Sequence, residues 1–219
     1  MKHCKQILSL LIVLAVVHPT FANTAQTNLN KEIQKAAQEG DTSKFMKLAK
    51  DKSLDLNAQD EEGMTPLMSA ALGGNEKIVQ FLLAKKVNLE TKNKVGDTAL
   101  AVALTNDQFD IAKQLIKAGA KVDITVAGDN SDTLLIRSAS GNLGTTKLIL
   151  EKNGNLINKT NKLGETALMK SIEFRYNDIT KLLLANGANT KLKNKDGKTA
   201  LDIAKESNNE EAIKLLSKK

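Results

Sequence analysis

Tryptophan is absent from this chain, and aromatic residues of every kind make up 3 % of it. The core must therefore be built from Leu, Ile, Val and Ala. That suits helices stacked through small and aliphatic contacts and fits a β-sandwich poorly. Cysteine occurs once, as Cys4, and histidine twice, as His3 and His18. All three precede residue 23. Without that segment the chain holds no thiol and no imidazole, which excludes Cys/His nucleophiles, Ser-His-Asp triads, His/Cys zinc sites and any disulfide. Arginine is nearly missing, with only Arg137 and Arg175. A protein that reads phosphates through bidentate guanidinium contacts would carry more.

The first residues have a character of their own. Lys2 and Lys5 lead an apolar run from Ile7 to Val17, and Thr20-Phe21-Ala22 then offers small residues at the two positions a signal peptidase reads. This is the layout of a secretory signal peptide over residues 1–22, cut after Ala22 to leave Asn23 as the new terminus. The run is shorter than the roughly 20 residues that span a bilayer, so no stable membrane insertion is expected after cleavage. Losing Lys2 and Lys5 lowers the net charge from +7 to about +5. The remaining charges are interspersed in sign, as at Lys152, Glu165, Lys170 and Glu173, which is the pattern of a soluble surface. The strong bias of Lys over Arg and the abundant Asn fit a bacterial source. The expected location is then periplasmic or secreted.

Beyond the leader one pattern recurs. Gly63-Met64-Thr65-Pro66-Leu67 runs into Met68-Ser69-Ala70-Ala71-Leu72, and the apolar set Ile78, Val79, Phe81, Leu82 and Leu83 follows. The opening returns as Gly96-Asp97-Thr98-Ala99-Leu100, Gly164-Glu165-Thr166-Ala167-Leu168 and Gly197-Lys198-Thr199-Ala200-Leu201. It also returns, without its glycine, as Thr133-Leu134-Leu135. The glycines suit a tight loop that needs φ > 0. The threonine that follows is placed to cap a helix, and Pro66 falls at the first helical position, where no N–H is needed. Ala70, Ala103, Ser171 and Ala204 let neighbouring helices approach, and Gly119 and Gly187 stand where helices end. This period of about 33 residues with a Thr-Pro-Leu-x-x-Ala-Ala core resembles the ankyrin repeat. The resemblance covers residues 29–219. It implies an all-α solenoid of about six repeats, each a helix-turn-helix plus a loop or β-hairpin, with the terminal repeats acting as caps.

After a polar arm at 23–28, read as disordered, the repeats fall near 29–59, 60–92, 93–126, 127–160, 161–193 and 194–219. The fourth departs from the rest. Its link from the third is longer by two residues, and Ser131 holds the place of the loop glycine. The stretch from Ser140 to Thr146 allows two alignments one residue apart, so its second helix is expected near Thr145 to Lys152, starting weakly. Drift in a tolerant loop is the plainer reading of this irregularity and a site the sharper one.

Little in the sequence points to chemistry. Asp60-Glu61-Glu62 and Glu210-Glu211 are paired acids on a loop tip and a cap helix, where solvated turn residues are the default. Asp129-Asn130-Ser131-Asp132 has oxygen ligands without the spacing of a calcium loop. Asn158-Lys159-Thr160 matches the glycosylation tripeptide, which matters only in a eukaryotic secretory pathway. No catalytic residue, metal site or cofactor is expected.

What remains is surface. Proteins with these repeats bind partners on the concave face formed by loop tips and inner helices. Carried over by register, that face here includes Met64, Leu72, Val95, Asp97, Asn106 and Asp132. In the later repeats it includes Leu163, Glu165, Glu173, Phe174 and Lys198. Phe174 stands at the same offset from its loop glycine as Gly73 and Asn106 do from theirs, so packing does not demand an aromatic there. Arg175 and Tyr176 beside it could supply polar rim contacts. The resemblance implies a non-enzymatic, monomeric binder of an unidentified protein outside the cytoplasm, with no specific nucleic acid. An alternative is a binder of anionic polymer, polysaccharide or nucleic acid, through surface lysines. An enzyme using carboxylate, Lys or Ser chemistry is a third.

Overall fold

The structure, a computed structural model, describes residues 27–128 and 130–217. The leader, its cleavage point at Ala22 and Asn23, the arm as far as residue 26, and Asp129 lie outside the described residues. Residues 27 and 28, placed in the arm by composition, are helical.

The described residues form six helix pairs. The inner helices are α1 (27–39), α3 (Pro66–Leu72), α5 (Ala99–Thr105), α7 (Leu134–Ala139), α9 (Ala167–Glu173) and α11 (Ala200–Glu206). The outer helices are α2 (Thr42–Leu48), α4 (Glu76–Ala84), α6 (Phe109–Lys117), α8 (Leu143–Lys152), α10 (Asn177–Ala185) and α12 (Glu210–Ser217). From α3 onward inner helices pack on inner helices, and from α2 onward outer on outer, so the chain is a one-dimensional stack. No strand occurs among the described residues. The expected hairpins are loops closed by a few backbone bonds, with two isolated bridges, Thr125 with Thr133 and Thr160 with Thr166.

Local chemistry builds each pair. Thr65, Thr98, Thr133, Thr166 and Thr199 each accept from the backbone N–H three residues on, at 3.2–3.4 Å, and so start the inner helices. Gly63 turns the preceding loop at φ +74°, and a Cβ there would lie 2.9 Å from the Lys94 backbone nitrogen. Leu100, Leu135 and Leu168 occupy equivalent buried sites between stacked helices. Phe45 of the first pair is fully buried and meets Phe81 edge to face at 5.8 Å, which closes that end of the stack. At the other end Leu201 and Ile203 are only partly covered.

The fourth repeat differs in two counted ways. Its loop is longer: the closing bond runs from Val126 N–H to the Asp132 carbonyl. In the regular loops it runs over four residues, as from Asn93 to Asp97 or Asn161 to Glu165. Ser131 nevertheless keeps the left-handed geometry, at φ +48°. Its inner-to-outer turn is shorter. In the second, third, fifth and sixth repeats a left-handed residue (Gly74, Asp107, Arg175 or Asn208) precedes the outer helix, and the next N–H reaches back five residues. Here that residue is missing, and Asn142 N–H reaches back four, to Ser138. Asn142 caps the helix through its side chain, so α8 starts firmly at Leu143, earlier than Thr145. Below the turn, Ser138 and Thr146 share a buried hydroxyl bond, as Ser171 and Thr180 do in the fifth repeat.

Candidate partner-binding face

The longer loop of the fourth repeat is tied on both sides. Ala127 N–H donates to Asp97 Oδ1 of the third repeat at 2.6 Å. Asn161 Nδ2 of the fifth donates to Asp132 Oδ1 at 2.7 Å. Asp97 was expected on the open face; it is buried at 7 % exposure, and its carboxylate serves the next loop. Burial pushes its pKa up, and the bond from Ala127 only partly offsets that.

The remaining expected face residues divide. Met64 and Leu72 are partly buried against the core, so the stack uses them for its own packing. Asn106 is exposed, with its amide turned back to the Val102 carbonyl. Val95 and Leu163 stand out from loop tips, at 68 % and 41 % exposure. Phe174, the last position before the turn of the fifth repeat, is 52 % exposed and carries the Lys170 ammonium 5.8 Å from its ring. Lys170 links Glu165 and Glu173, each at 3.0 Å, and Glu165 and Lys170 are both only 14 % exposed. Burial works against the lysine charge, but the bonds to Glu173 and Glu165 outweigh it and hold its pKa above the ordinary value. Lys198 pairs with Glu206 at 2.8 Å.

Of the expected face residues, Asp132 and Phe174, with Lys170, line a groove of about 570 Å³ along the turns of the third to fifth repeats, and the others lie outside it. The shortened fourth turn, Ser140 and Gly141, forms its floor between two full-length turns. Phe109 comes from one side, Phe174 and Tyr176 from the other. A Cβ on Gly141 would sit 3.6 Å from the Tyr176 hydroxyl and 3.8 Å from the Phe109 ring. The groove thus gathers three of the chain's six aromatic residues; Phe45 and Phe81 are used in the first cap and Phe21 is not described. Arg137 crosses from the fourth repeat to the third and donates to the carbonyls of Leu104 and Thr105 and to Asp107 Oδ1. Phe109 was not singled out from sequence, Arg137 only as one of two arginines, and Gly141 only within the irregular stretch from Ser140 to Thr146. The signal for them is the Thr133-to-Asn142 spacing, one residue short of Thr65 to Asn75.

Among the described residues no cluster of His, Cys, Asp and Glu could hold a metal ion, and no helix is long and apolar enough to cross a membrane.

The stacked helix pairs and the capped Thr-x-Leu openings define a helical repeat scaffold. The model of the family described as ankyrin repeats (3 copies) matches residues 33–126 and 134–219, and the chain belongs to the ankyrin repeat family. Among solved structures it is similar, at 56 % identity and a TM-score of 0.80, to a chain of the complex of the Bd0816 predatory endopeptidase from Bdellovibrio bacteriovorus with immunity protein Bd3460. That match covers 86 % of this chain and 98 % of the other. EF0377, an ankyrin repeat protein, matches at 27 % identity and a TM-score of 0.73, over 86 % of this chain and 97 % of its own. The putative ankyrin repeat protein YahD of Escherichia coli (strain K12) is 28 % identical over 86 % of this chain and 96 % of its own length. Human Rabankyrin-5 is 31 % identical over 68 % of this chain, which spans only 14 % of that protein.

Proposed function

We propose that this chain is an exported immunity protein that binds and blocks an endopeptidase through the inner face of its fourth to sixth repeats. The observation that carries this reading is the 56 % identity, over almost the whole length of both chains, with a chain of an endopeptidase–immunity protein complex. We take the matched chain to be the immunity protein, because its fold is a helical repeat stack that recognises surfaces and brings no reaction of its own. Immunity asks only for tight occupancy. A rigid stack with a grooved face supplies that without a cofactor and without catalysis. Export through residues 1–22 would carry the protein out of the cytoplasm, where it could meet an exported peptidase. Binding of an anionic polymer is disfavoured at the two grooves of this region, whose lining holds more carboxylates than cations.

The test is direct. The purified chain is mixed with the Bd0816 endopeptidase, and complex formation and peptidase activity are measured together. A one-to-one complex with loss of activity is the expected result. Absence of a complex at micromolar concentrations rejects the reading. Export is tested separately by N-terminal sequencing of protein from its native host, which should begin at Asn23; soluble protein retaining Met1 would overturn it.

A further inference from the structure

The chain carries a net charge of +7, yet two grooves along its third to sixth repeats are lined by more carboxylates than cations. The groove at the shortened turn adjoins a second one between the fifth and sixth repeats, of about 290 Å³. Together they are lined by the carboxylates of Asp107, Asp132, Glu165, Glu173, Asp196 and Glu206. Against these six stand three cations, Arg137, Lys170 and Lys198. Each cation is already bonded to a carboxylate of the same face. The lining thus holds three more carboxylates than cations, and Arg175, between Phe174 and Tyr176, donates to the Asn208 carbonyl rather than to one of them. The surplus lies in the second groove, on the sixth-repeat side of the exposed rings of Phe174 and Tyr176, while the groove that holds the rings is lined by two carboxylates and two cations.

Resting on the immunity reading, we infer that this double groove takes a basic, extended segment of the endopeptidase, with an apolar side chain seated between Phe174, Tyr176 and Phe109. Charge complementarity sets the sign of the segment, because surplus carboxylates on the sixth-repeat side of an apolar floor favour Lys or Arg beside an apolar residue and repel an acidic one. The aromatic floor gives the anchor. Rings at the centre of a desolvated patch are where binding energy concentrates, and the shortened fourth turn is what leaves them a recess. A polyanion fits less well, since it would add negative charge to a lining already in carboxylate surplus.

Two measurements on the full chain separate this inference from the reading beneath it. In the first, amide spectra are recorded during titration with a blocked ten-residue peptide alternating Arg and Leu, and with the same peptide carrying Glu for Arg. The basic peptide should shift amides near 137–141, 165–176 and 196–206 and should lose its effect with 0.5 M salt, at which the Debye length is only about 4 Å. Glu173→Gln combined with Glu206→Gln should weaken it at least tenfold. No shift in those segments, or an equal response to the acidic peptide, overturns the inference whatever the peptidase does. In the second, affinity for Bd0816 is compared across variants. Phe174→Ala and the double Gln variant should each lose tenfold or more with little change in melting temperature, while Glu62→Gln in the second repeat stays within twofold. Full affinity in the groove variants sinks the groove and leaves the immunity reading standing; no binding by the unaltered chain sinks that reading and leaves the peptide result to decide the groove.

Discussion

The second and fourth repeats are built on one plan and differ by a few residues, and the difference shows what the plan requires. In the second, Gly63 and Gly74 supply left-handed residues in loop and turn, and Thr65 and Pro66 start the inner helix. Every part of it serves stacking, down to Gly73, where a Cβ would fall against the Gln38 carbonyl. The fourth repeat keeps the threonine cap and the buried leucine, which are the parts that stacking needs. It gains loop length on one side and loses a turn residue on the other. Those changes fall on the surface and open a recess among the chain's scarce exposed rings. The core plan is thus rigid about caps and leucines and permissive about turns, and permissive places are where a binding face can be made.

The comparison breaks most visibly if the fourth repeat is loosely packed. Leu135→Ala should cost about 2–5 kcal/mol, as should Leu100→Ala and Leu168→Ala, with Leu201→Ala in the last repeat costing less. Chemical denaturation of the four variants measures this, and a Leu135 value far below the other two would mean that irregularity reaches the core. Next come the glycines. Gly63→Ala forces a left-handed Cβ against the neighbouring loop and should cost about 1–3 kcal/mol. Gly141→Ala meets only ordinary contacts and should stay within about 0.5 kcal/mol in the same assay. Arg137→Lys follows, because it keeps the charge but loses the fork that serves two carbonyls and Asp107. A loss of about 1 kcal/mol is expected, and no loss would show that the third and fourth repeats hold together without it.

The smallest effect is at Asp97. Its pKa is raised in the fold, so the folded protein binds a proton more readily than the unfolded chain, and stability falls as pH rises through that window. Asp97→Asn keeps an oxygen for Ala127 and removes the buried charge. It should raise the melting temperature at pH 7 by roughly 1 °C. The gain should vanish below about pH 3.9, where aspartate is neutral in both states. A gain that persists in acid would assign the effect to something other than the carboxylate.

How much of this was legible beforehand follows from where each feature is encoded. The stack, the threonine caps, the glycine loops and the burial of Leu100 and Leu168 repeat with the period, so five copies of one pattern vouch for each other. Phe174 was legible as an aromatic at a position its equivalents leave small or polar. The shortened turn was visible only as an ambiguous alignment, because a single missing residue can be placed anywhere between Ser140 and Thr146 until hydrogen bonds fix it. Asp97 could not be read from its own repeat at all. Its burial depends on the next loop being longer, and register counting treats each repeat as if its neighbours were average.

Along the loop tips, backbone bonds join successive repeats: Lys94 N–H to the Glu62 carbonyl, Lys162 to Asn130, Lys195 to Leu163. Between the third and fourth repeats that rung is replaced by the Asp97 side chain, and α5 and α7 share less contact than the neighbouring inner pairs. The family match breaks at the same place, between residues 126 and 134. A stack coupled only through nearest neighbours behaves under tension as springs in series, and its elasticity is set by the softest coil. Stretched end to end, this protein would pass load across its middle through the Asp97 and Arg137 side chains and the packing of α6 on α8, where its other well-joined loop tips use a backbone rung.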